Sequence, residues 1–282
     1  MTFSTNTSRD QHLIPPSHAT AKMPSHPDLT SFKALSFDNY GTLVDYESSL
    51  RHHLAPLHAA LPPSHDLKDT AALMRRFNAA SNTLEHDEPA LPANELLART
   101  FRELAADLDV ADQLTEADFA AWRAMAGASV PFGDTVAGLQ KLARRYKLFL
   151  LSNVDERNIA ASVGAMRPVA FDGVYTAERI GSYKPAHANF RYLFERAERE
   201  HGVGFARGEL LHVARSLRAD HVPAKALGLR SVWIARGGDT KEGQGIGGDP
   251  EGLKDDVAFE WKFQTIGEFA DEVERQFAAK GE

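Results

Sequence analysis

The chain has 282 residues, of which 43% are hydrophobic and 25% are charged, and its formal net charge is -7. This composition is typical of a globular protein with one large domain or two modest ones. The acidic balance argues against non-specific binding to nucleic acid, which needs a basic surface. The absence of cysteine excludes disulfides, a thiol nucleophile and a cysteine-ligated metal.

Residues 1–30 form a polar segment that is rich in Ser, Thr, Pro and His and lacks the apolar core of a secretory signal. This composition predicts a disordered tail. A transit peptide is the weaker alternative, because the segment has few basic residues. No apolar run in the chain approaches the ~20 residues of a membrane span, so we expect a cytoplasmic protein with no membrane partner.

The first predicted strand, Phe32 to Phe37, is apolar and ends at Asp38. A buried parallel strand delivers the residue that follows it to the carboxyl edge of the sheet, where ligands bind in α/β proteins. Gly41 permits a sharp turn, and Thr42 offers a hydroxyl beside the carboxylate. A single aspartate after a strand is more often a turn or helix-cap residue, so the interpretation depends on the rest of the chain.

The elements that follow are predicted from periodicity. Between residues 48 and 129 the sequence is rich in Ala and Leu with helical spacing and shows no strand pattern. Beyond Pro131 strands are predicted at 146–151, 173–176, 209–214 and 231–235, with helices at 135–145, 155–163, 188–200, 219–226 and 266–277. This alternation predicts an α/β fold with a Rossmann-like parallel sheet and an all-helical insertion. The segment 237–252 holds seven glycines and is predicted to be a flexible loop.

Polar residues also follow the later strands. Ser152 and Asn153 come after the second strand, where a hydroxyl can donate to an anion, although Asn153 also suits a helix cap. Lys184 follows the third strand and precedes a proline, which favours extended backbone; a lysine in isolation is usually a solvated surface residue. Asp220 follows the fourth strand. The four strand ends therefore predict a shared polar site.

The run DNYGTLVD at residues 38–45 resembles the first motif of the haloacid dehalogenase superfamily. The runs that end at Asn153 and surround Lys184, and the acidic Asp220, are similar to its second, third and fourth motifs in the same order. The resemblance implies a core of residues 31–47 and 130–282 with a helical cap at 48–129. It also implies that Asp38 is a nucleophile and that Lys184 pairs with it and holds the substrate anion.

Two positions favour one reaction of this superfamily over another. Its phosphatases carry a general acid two residues after the nucleophile, where this chain has Tyr40. A phenol with an ordinary pKa of about 10 is a poor acid near neutrality, whereas a departing halide needs no proton. Metal-dependent members carry an acid where this chain has Arg215. A guanidinium repels a cation and suits a substrate carboxylate, or a salt bridge with Asp38 or Asp220. We therefore expect neither a metal nor a cofactor.

The resemblance to the type II 2-haloacid dehalogenase branch implies the reaction. Asp38 displaces halide from a small 2-halo carboxylic acid, and water hydrolyses the resulting ester with Asp220 as base. A cap arginine accepts the halide in that branch, and Arg75 is expected in this place with Arg76 as its rival. The substrate-binding residues are predicted to be Tyr40, Thr42, Arg75, Ser152, Asn153 and Arg215.

The chain also departs from that branch, which has Ser and Asn at the positions of Arg215 and Leu217. Two alternatives therefore stand beside the dehalogenase hypothesis. One is a phosphatase of the same superfamily, and the other is a divergent member that acts on or binds another organic acid. The resemblance further suggests a homodimer formed through the cap helices.

Overall fold

The computed structural model describes residues 28–238 and 247–281 of the chain. Its strands are β1 (Ala34–Phe37), β2 (Lys147–Ser152), β3 (Gly173–Thr176), β4 (Leu210–Ala214), β5 (Ser231–Ile234) and β6 (Trp261–Phe263). They form one sheet in the order β3-β2-β1-β4-β5-β6, and every neighbouring pair is parallel. The predicted α/β class with a parallel sheet is confirmed.

The α-helices of the described residues are α1 (Tyr46–Ala60), α2 (Thr70–Asp87), α3 (Ala93–Asp107), α4 (Glu116–Ala121), α5 (Thr135–Leu142), α6 (Glu156–Ala165), α7 (Ala177–Ile180), α8 (His187–His201), α9 (Val222–Leu227) and α10 (Ile266–Ala279). Several begin at a side chain that accepts a hydrogen bond from a first-turn amide, which stabilises the helix start. Asp45, Asp69, Asp155 and Thr265 act in this way for α1, α2, α6 and α10.

The two faces of the sheet bury different side chains, because successive residues of a strand point in opposite directions. Leu35 and Phe37 of β1 belong to the large core that includes residues of α5 and α10. Phe149 of β2 packs on the other face with Phe190 and Leu193 of α8. Coverage of both faces explains the continuously apolar strands that the sequence shows.

The helical insertion, α1 to α4 with its short 3-10 turns, lies between β1 and β2 as predicted. Phe77 and Phe101 stack on the buried Trp122 with ring centroids 4.7 and 4.6 Å apart. The core of the insertion is continuous with one face of the sheet. Tyr183, beyond β3, donates a hydrogen bond to the backbone oxygen of Leu91 between α2 and α3, which joins the insertion to the sheet edge.

The centre of the sheet determines where the first motif lies. β1 runs between β2 and β4, and its last residue Phe37 pairs with Leu150 and Val213. Asp38 therefore leaves the sheet at the middle of its carboxyl edge. Gly41 turns the chain immediately afterwards with a φ of 83°, a conformation that L side chains rarely adopt.

Some elements differ from the sequence-based expectation. β6 was not predicted, because its three residues are too few for a periodic pattern. The predicted helix 219–226 begins earlier, with a π-helical turn at Leu217–His221 before α9. Residues 1–27 of the predicted tail and 239–246 of the predicted glycine-rich loop lie outside the described residues. In the described part of the chain, no helix has the length and apolarity needed to cross a bilayer.

Candidate active site

Asp38 is held by hydrogen bonds to both of its carboxylate oxygens. The Thr42 hydroxyl donates to Oδ2 over 2.7 Å, and the Lys184 ammonium donates to Oδ1 over 2.9 Å. Thr42 Oγ1 in turn accepts the backbone N–H of Arg215 over 2.9 Å, which directs its own proton towards Asp38. The carboxylate is 6% exposed, so it is oriented and still reachable.

Lys184 lies between two buried carboxylates. Its Nζ is 2.9 Å from Asp38 Oδ1 and 2.7 Å from Asp220 Oδ1. Asn153 fixes the lysine backbone, because its Oδ1 accepts the Lys184 N–H over 2.7 Å and its Nδ2 donates to the Lys184 oxygen over 2.8 Å. The cap of α6 is Asp155. Asn153 therefore positions the lysine and does not cap the helix.

Asp220 is also held by a buried histidine, at the same carboxylate oxygen that binds Lys184. His212 Nε2 is 2.9 Å from Asp220 Oδ1, and His212 Nδ1 is 2.8 Å from Ser36 Oγ. An ionised carboxylate only accepts, so we assign the imidazole proton to Nε2 and let Ser36 donate to Nδ1. A continuous chain of hydrogen bonds thus runs from Ser36 through His212, Asp220 and Lys184 to Asp38.

The Lys184 ammonium forms ion pairs with two buried carboxylates, Asp38 and Asp220. Burial raises the pKa of Asp38, and the charge of Lys184 opposes this only in part. Burial acts on Asp220 in the same direction, but Lys184 and the hydrogen bond from His212 lower the pKa of Asp220 to about 2. Burial disfavours the charged form of Lys184, yet the two carboxylates raise its pKa. As the pH falls, Asp38 is therefore the first of the two carboxylates to take a proton.

A cavity of about 1100 Å³ opens above these residues. Asp38, Ser152, Lys184 and Asp220 line it from the sheet edge, and residues of α2 and α3 line it from the insertion. Ser152 Oγ and Asp220 Oδ2 are buried and have no hydrogen-bond partner among the described residues. Buried polar atoms are rarely left unpaired, so both are available to a bound molecule or water.

A family model provides the decisive comparison. The model of haloacid dehalogenase-like hydrolases matches residues 32–213, which is more than half of the chain. The chain belongs to this family of hydrolases. A curated relative, haloacid dehalogenase-like hydrolase domain-containing protein 3 of Mus musculus, is 32% identical over 149 residues, which are 50% of this chain and 54% of that protein. The chain thus matches about half the length of that relative.

Solved structures of haloacid dehalogenase-like proteins share the fold of this hydrolase. The L-2-haloacid dehalogenase of Xanthobacter autotrophicus with chloropropionic acid covalently bound is 20% identical, with a TM-score of 0.65 over 86% of this chain and 98% of that chain. The L-2-haloacid dehalogenase PA0810 is 24% identical, with a TM-score of 0.63 over 86% and 99%. The putative HAD-hydrolase YfnB of Bacillus subtilis bound to magnesium is 17% identical, with a TM-score of 0.62 over 86% and 99%.

Arg215 of the hydrolase is placed differently from the prediction. Its guanidinium donates to Glu47 Oε1 over 2.9 Å and packs beside Gly41, in a second cavity of about 260 Å³. It does not line the large cavity and forms no salt bridge with Asp38 or Asp220. The side chain turns away because Glu47, in the first turn of α1, offers it an anionic partner. A contact with a substrate carboxylate in the large cavity is therefore not supported.

The other predicted contact residues are divided between the cavity and its surroundings. Tyr40 lines the cavity, and its hydroxyl lies 3.3 Å from Ser162 Oγ. Burial raises the pKa of Tyr40, which makes the phenol a still weaker acid. Arg75 lines the cavity from α2, whereas Arg76 faces away and pairs with Asp107 over 3.4 Å. Of the two cap arginines, only Arg75 reaches this space.

Sequence reasoning missed four residues that belong to this site. Tyr46, Glu85 and Arg218 line the large cavity, and His212 supports Asp220 from inside β4. A histidine in the middle of an apolar strand is a usable signal, because a buried imidazole needs polar partners. The other three lie on helices or turns where polar residues are usually solvated, so the sequence offers no comparable signal.

The magnesium in the Bacillus subtilis structure raises the question of whether the residues here fit such an ion. Magnesium prefers an octahedral set of oxygen ligands. Here Asp38 Oδ1 and Asp220 Oδ1 both bind the Lys184 ammonium, and Arg215 stands where metal-dependent members carry an acid. Among the described residues, no three His, Asp or Glu side chains converge to hold a metal. The residues of this edge therefore do not fit a magnesium ion.

His221, next to Asp220, gives a testable pH dependence of stability. It is buried between Ala214 O and Ser231 Oγ, and burial lowers its pKa to about 4. A group with a lowered folded-state pKa stabilises the fold above its unfolded pKa and loses this effect as the pH falls. From pH 7 to pH 4, the stability advantage of the wild type over His221→Asn is expected to shrink by about 3 kcal/mol. Urea unfolding at each pH measures this difference in the free energy of unfolding.

The matched control is His52→Asn, because His52 is an exposed histidine of α1. This variant shows how much of any pH dependence arises from replacing a solvent-exposed histidine. Comparing each variant with the wild type cancels the titration of all other groups. A constant difference for His221→Asn would contradict the neutral buried state of this imidazole.

Proposed function

We propose that this protein is a hydrolase of the 2-haloacid dehalogenase type. It displaces halide from a small 2-halo carboxylic acid through an aspartyl-ester intermediate and needs no metal. The observation that carries the proposal is the Lys184 ammonium between Asp38 and Asp220 at the sheet edge of the cavity. This arrangement supplies a nucleophile, a cation for the substrate carboxylate and an acceptor for water.

In the first step, a carboxylate oxygen of Asp38 attacks C2 of the substrate. The carbon–halogen bond breaks, and the halide leaves with its electron pair. No proton moves, so the raised pKa of Tyr40 has no consequence for this step. The unpartnered hydroxyl of Ser152 and the ammonium of Lys184 hold the substrate carboxylate. Arg75, on the cap side of the cavity, is our candidate for the contact with the halide.

In the second step, water attacks the carbonyl carbon of the Asp38 ester. The bond from that carbon to the substrate oxygen breaks, which releases a 2-hydroxy acid and a proton and restores the carboxylate. Asp220 Oδ2 has no other partner among the described residues and accepts the hydrogen bond of the attacking water. The low pKa of Asp220 makes it a weak base, so its main contribution is to orient the water.

Residues 215 and 217 differ from those of the dehalogenase branch, so Asp220 orients the attacking water without help from either position. Arg215 is engaged with Glu47. Leu217 is buried in a small apolar cluster with Trp233. Neither brings a hydroxyl or amide to the water, as Ser and Asn do in the dehalogenase branch. Slow hydrolysis of the ester, relative to its formation, is the expected kinetic result.

The covalently bound chloropropionic acid of the Xanthobacter enzyme supports the proposal as the chemistry of a protein with the same fold. We further propose that residues 48–129 act as a cap domain over a core of 31–47 and 130–282. The uninterrupted series of helices α1 to α4 between β1 and β2 supports this division. A homodimer through the cap helices and a cytoplasmic location complete the proposal.

Halide release from racemic 2-chloropropionate and 2-bromopropionate, measured with excess EDTA, tests the function. We expect release that the chelator does not reduce, because no step uses a metal. Bromide should leave faster than chloride because its bond to carbon is weaker. No release at high enzyme concentration and long times would contradict the proposal. Phosphate release from esters that requires added magnesium would instead support the phosphatase alternative.

A further inference from the structure

Helix α2 presents a polar stripe to the large cavity. Arg75, Asn78, Asn82 and Glu85 all line that cavity, and their spacing of three and four residues places them on one side of the helix. Glu85 is the last of them in the chain. Glu85, Lys184 and Asp38 all line the same cavity, so this end of the stripe shares the cavity with the nucleophile.

The Glu85 carboxyl is partly buried, and in the described part of the chain it forms no hydrogen bond and no ion pair. Glu88, one turn later on the same segment, shows the usual alternative: it is exposed and pairs with Arg99 over 2.6 Å. A carboxyl withdrawn from water without a partner is uncommon. Glu85 therefore has hydrogen-bonding capacity that only a molecule in the cavity or water can use.

The groups around Glu85 control its charge. Lys184, Tyr46 and Tyr183 interact with it electrostatically. The other charged or titratable residues that line the cavity are Asp38, Tyr40, Arg75, His86, His187, Arg218 and Asp220. Burial raises the pKa of Glu85 to about 7, and Lys184 opposes this effect. Among the described residues, Lys184 forms its ion pairs with Asp38 and Asp220 and none with Glu85.

We propose that Glu85 is a specificity-determining residue that selects the charge of the molecule bound beside Asp38. When Glu85 is protonated, it donates a hydrogen bond and the cavity accepts a carboxylate. When it is ionised, it repels a carboxylate and favours a neutral compound of the same shape, such as an amide. This inference rests on the proposed function, because Asp38 defines where the substrate lies.

The expected size of the effect follows from electrostatics. A carboxylate bound at Lys184 and Ser152 meets Glu85 across the same cavity. Glu85 is partly buried, so the two charges interact more strongly there than in bulk water. Rejection of the wrong substrate by a like charge is a common route to specificity. We expect ionisation of Glu85 to weaken anion binding about tenfold, which corresponds to about 1.4 kcal/mol.

The test measures binding of propionate and propionamide to the full chain by ligand-observed NMR between pH 6 and pH 8. Neither compound has a leaving group, and propionate stays ionised throughout this range. In the wild type, the affinity for propionate relative to propionamide should fall about fivefold from pH 6 to pH 8, because Glu85, with a pKa of about 7, is incompletely titrated at both ends of this range. In Glu85→Gln, which keeps the shape and a neutral donor, the ratio should stay constant.

Two further variants separate Glu85 from its neighbours. Glu88→Gln should behave as the wild type, because Glu88 does not line the cavity. His86→Gln removes the nearest titratable imidazole of the cavity wall and should retain the slope. A pH-independent ratio in the wild type, an unchanged slope in Glu85→Gln, or no binding of either compound overturns the inference.

Failure of the proposed function has a different signature. Halide release from 2-bromopropionate and 2-bromopropionamide reports on Asp38, and its absence contradicts the dehalogenase reaction whatever the binding ratio shows. If halide is released, the rate with 2-bromopropionate relative to 2-bromopropionamide should change with pH in the wild type as the binding ratio does. In Glu85→Gln, this rate ratio should not depend on pH. Halide release with a pH-independent rate ratio in the wild type would support the dehalogenase reaction and contradict the role of Glu85.

Discussion

Replacing Asp38 with Asn is expected to lower halide release by at least about 10³-fold, which equals about 4 kcal/mol of transition-state stabilisation. The amide keeps the size of the side chain and its hydrogen bond from Thr42, but it is not a nucleophile. It also loses the charge that attracts Lys184. Initial rates with 2-bromopropionate measure the loss, and intact-protein mass should show no substrate ester on the variant.

The matched control is Asp45→Asn, which lies seven residues later in the same motif. Asp45 caps α1 by accepting the backbone N–H of Ser48 over 3.0 Å. Asn serves equally well at a helix N-cap, so this variant should retain both stability and activity. A substantial rate in Asp38→Asn, with the control unchanged, would exclude Asp38 as the nucleophile.

Replacing Lys184 with Met has the second-largest expected effect, a loss of about 10²–10³-fold in rate at neutral pH. Two carboxylates then share the site without the ammonium that binds Oδ1 of each. Burial already raises the pKa of Asp38, and the loss of the cation raises it further. The rate increases with pH through the Asp38 pKa, so this rise should move to higher pH in the variant. Rates from pH 4 to pH 9 measure the displacement.

Lys147→Met serves as the control, because Lys147 lies at the opposite end of β2 from Ser152 and pairs with the partly exposed Asp172. Removing one partner of a buried ion pair typically costs about 3–5 kcal/mol of stability, so thermal unfolding must first show that Lys184→Met is folded. Asp220→Asn, checked for folding in the same way, offers a second test, since it removes the neighbouring negative charge and should lower the Asp38 pKa. An unchanged pH profile in both variants would contradict the shared ammonium.

The sequence was sufficient to predict the residues that leave the ends of the central strands. Asp38, Ser152 and Lys184 each also suit a turn, cap or surface role, and only the resemblance to the family motifs, taken in order, predicts them as a set. The structure brings all three together with Asp220. Their catalytic roles stay predictions. The parallel sheet was predictable because strand–helix alternation leaves few alternatives.

The direction of long side chains was not predictable from the sequence. Arg215 has a correctly predicted position after β4, yet its guanidinium pairs with Glu47 of α1, which is distant in sequence. Glu85 has a helical position like many solvated glutamates, and only the packing of α2 over the sheet edge turns it towards the cavity. Rotamers and helix packing decide such cases, and neither has a local sequence signature.

The hydrogen bond from Tyr183 to the backbone oxygen of Leu91 ties the α2–α3 connection to the residue that precedes Lys184 in the chain. Tyr183 is joined to Lys184 by one peptide bond, and the Lys184 ammonium binds Asp38. The position of the cation beside the nucleophile is therefore linked through one hydrogen bond to the backbone between α2 and α3. A substitution in that connection, far from Asp38 in sequence, can thus change the surroundings of the nucleophile without altering any residue that touches it.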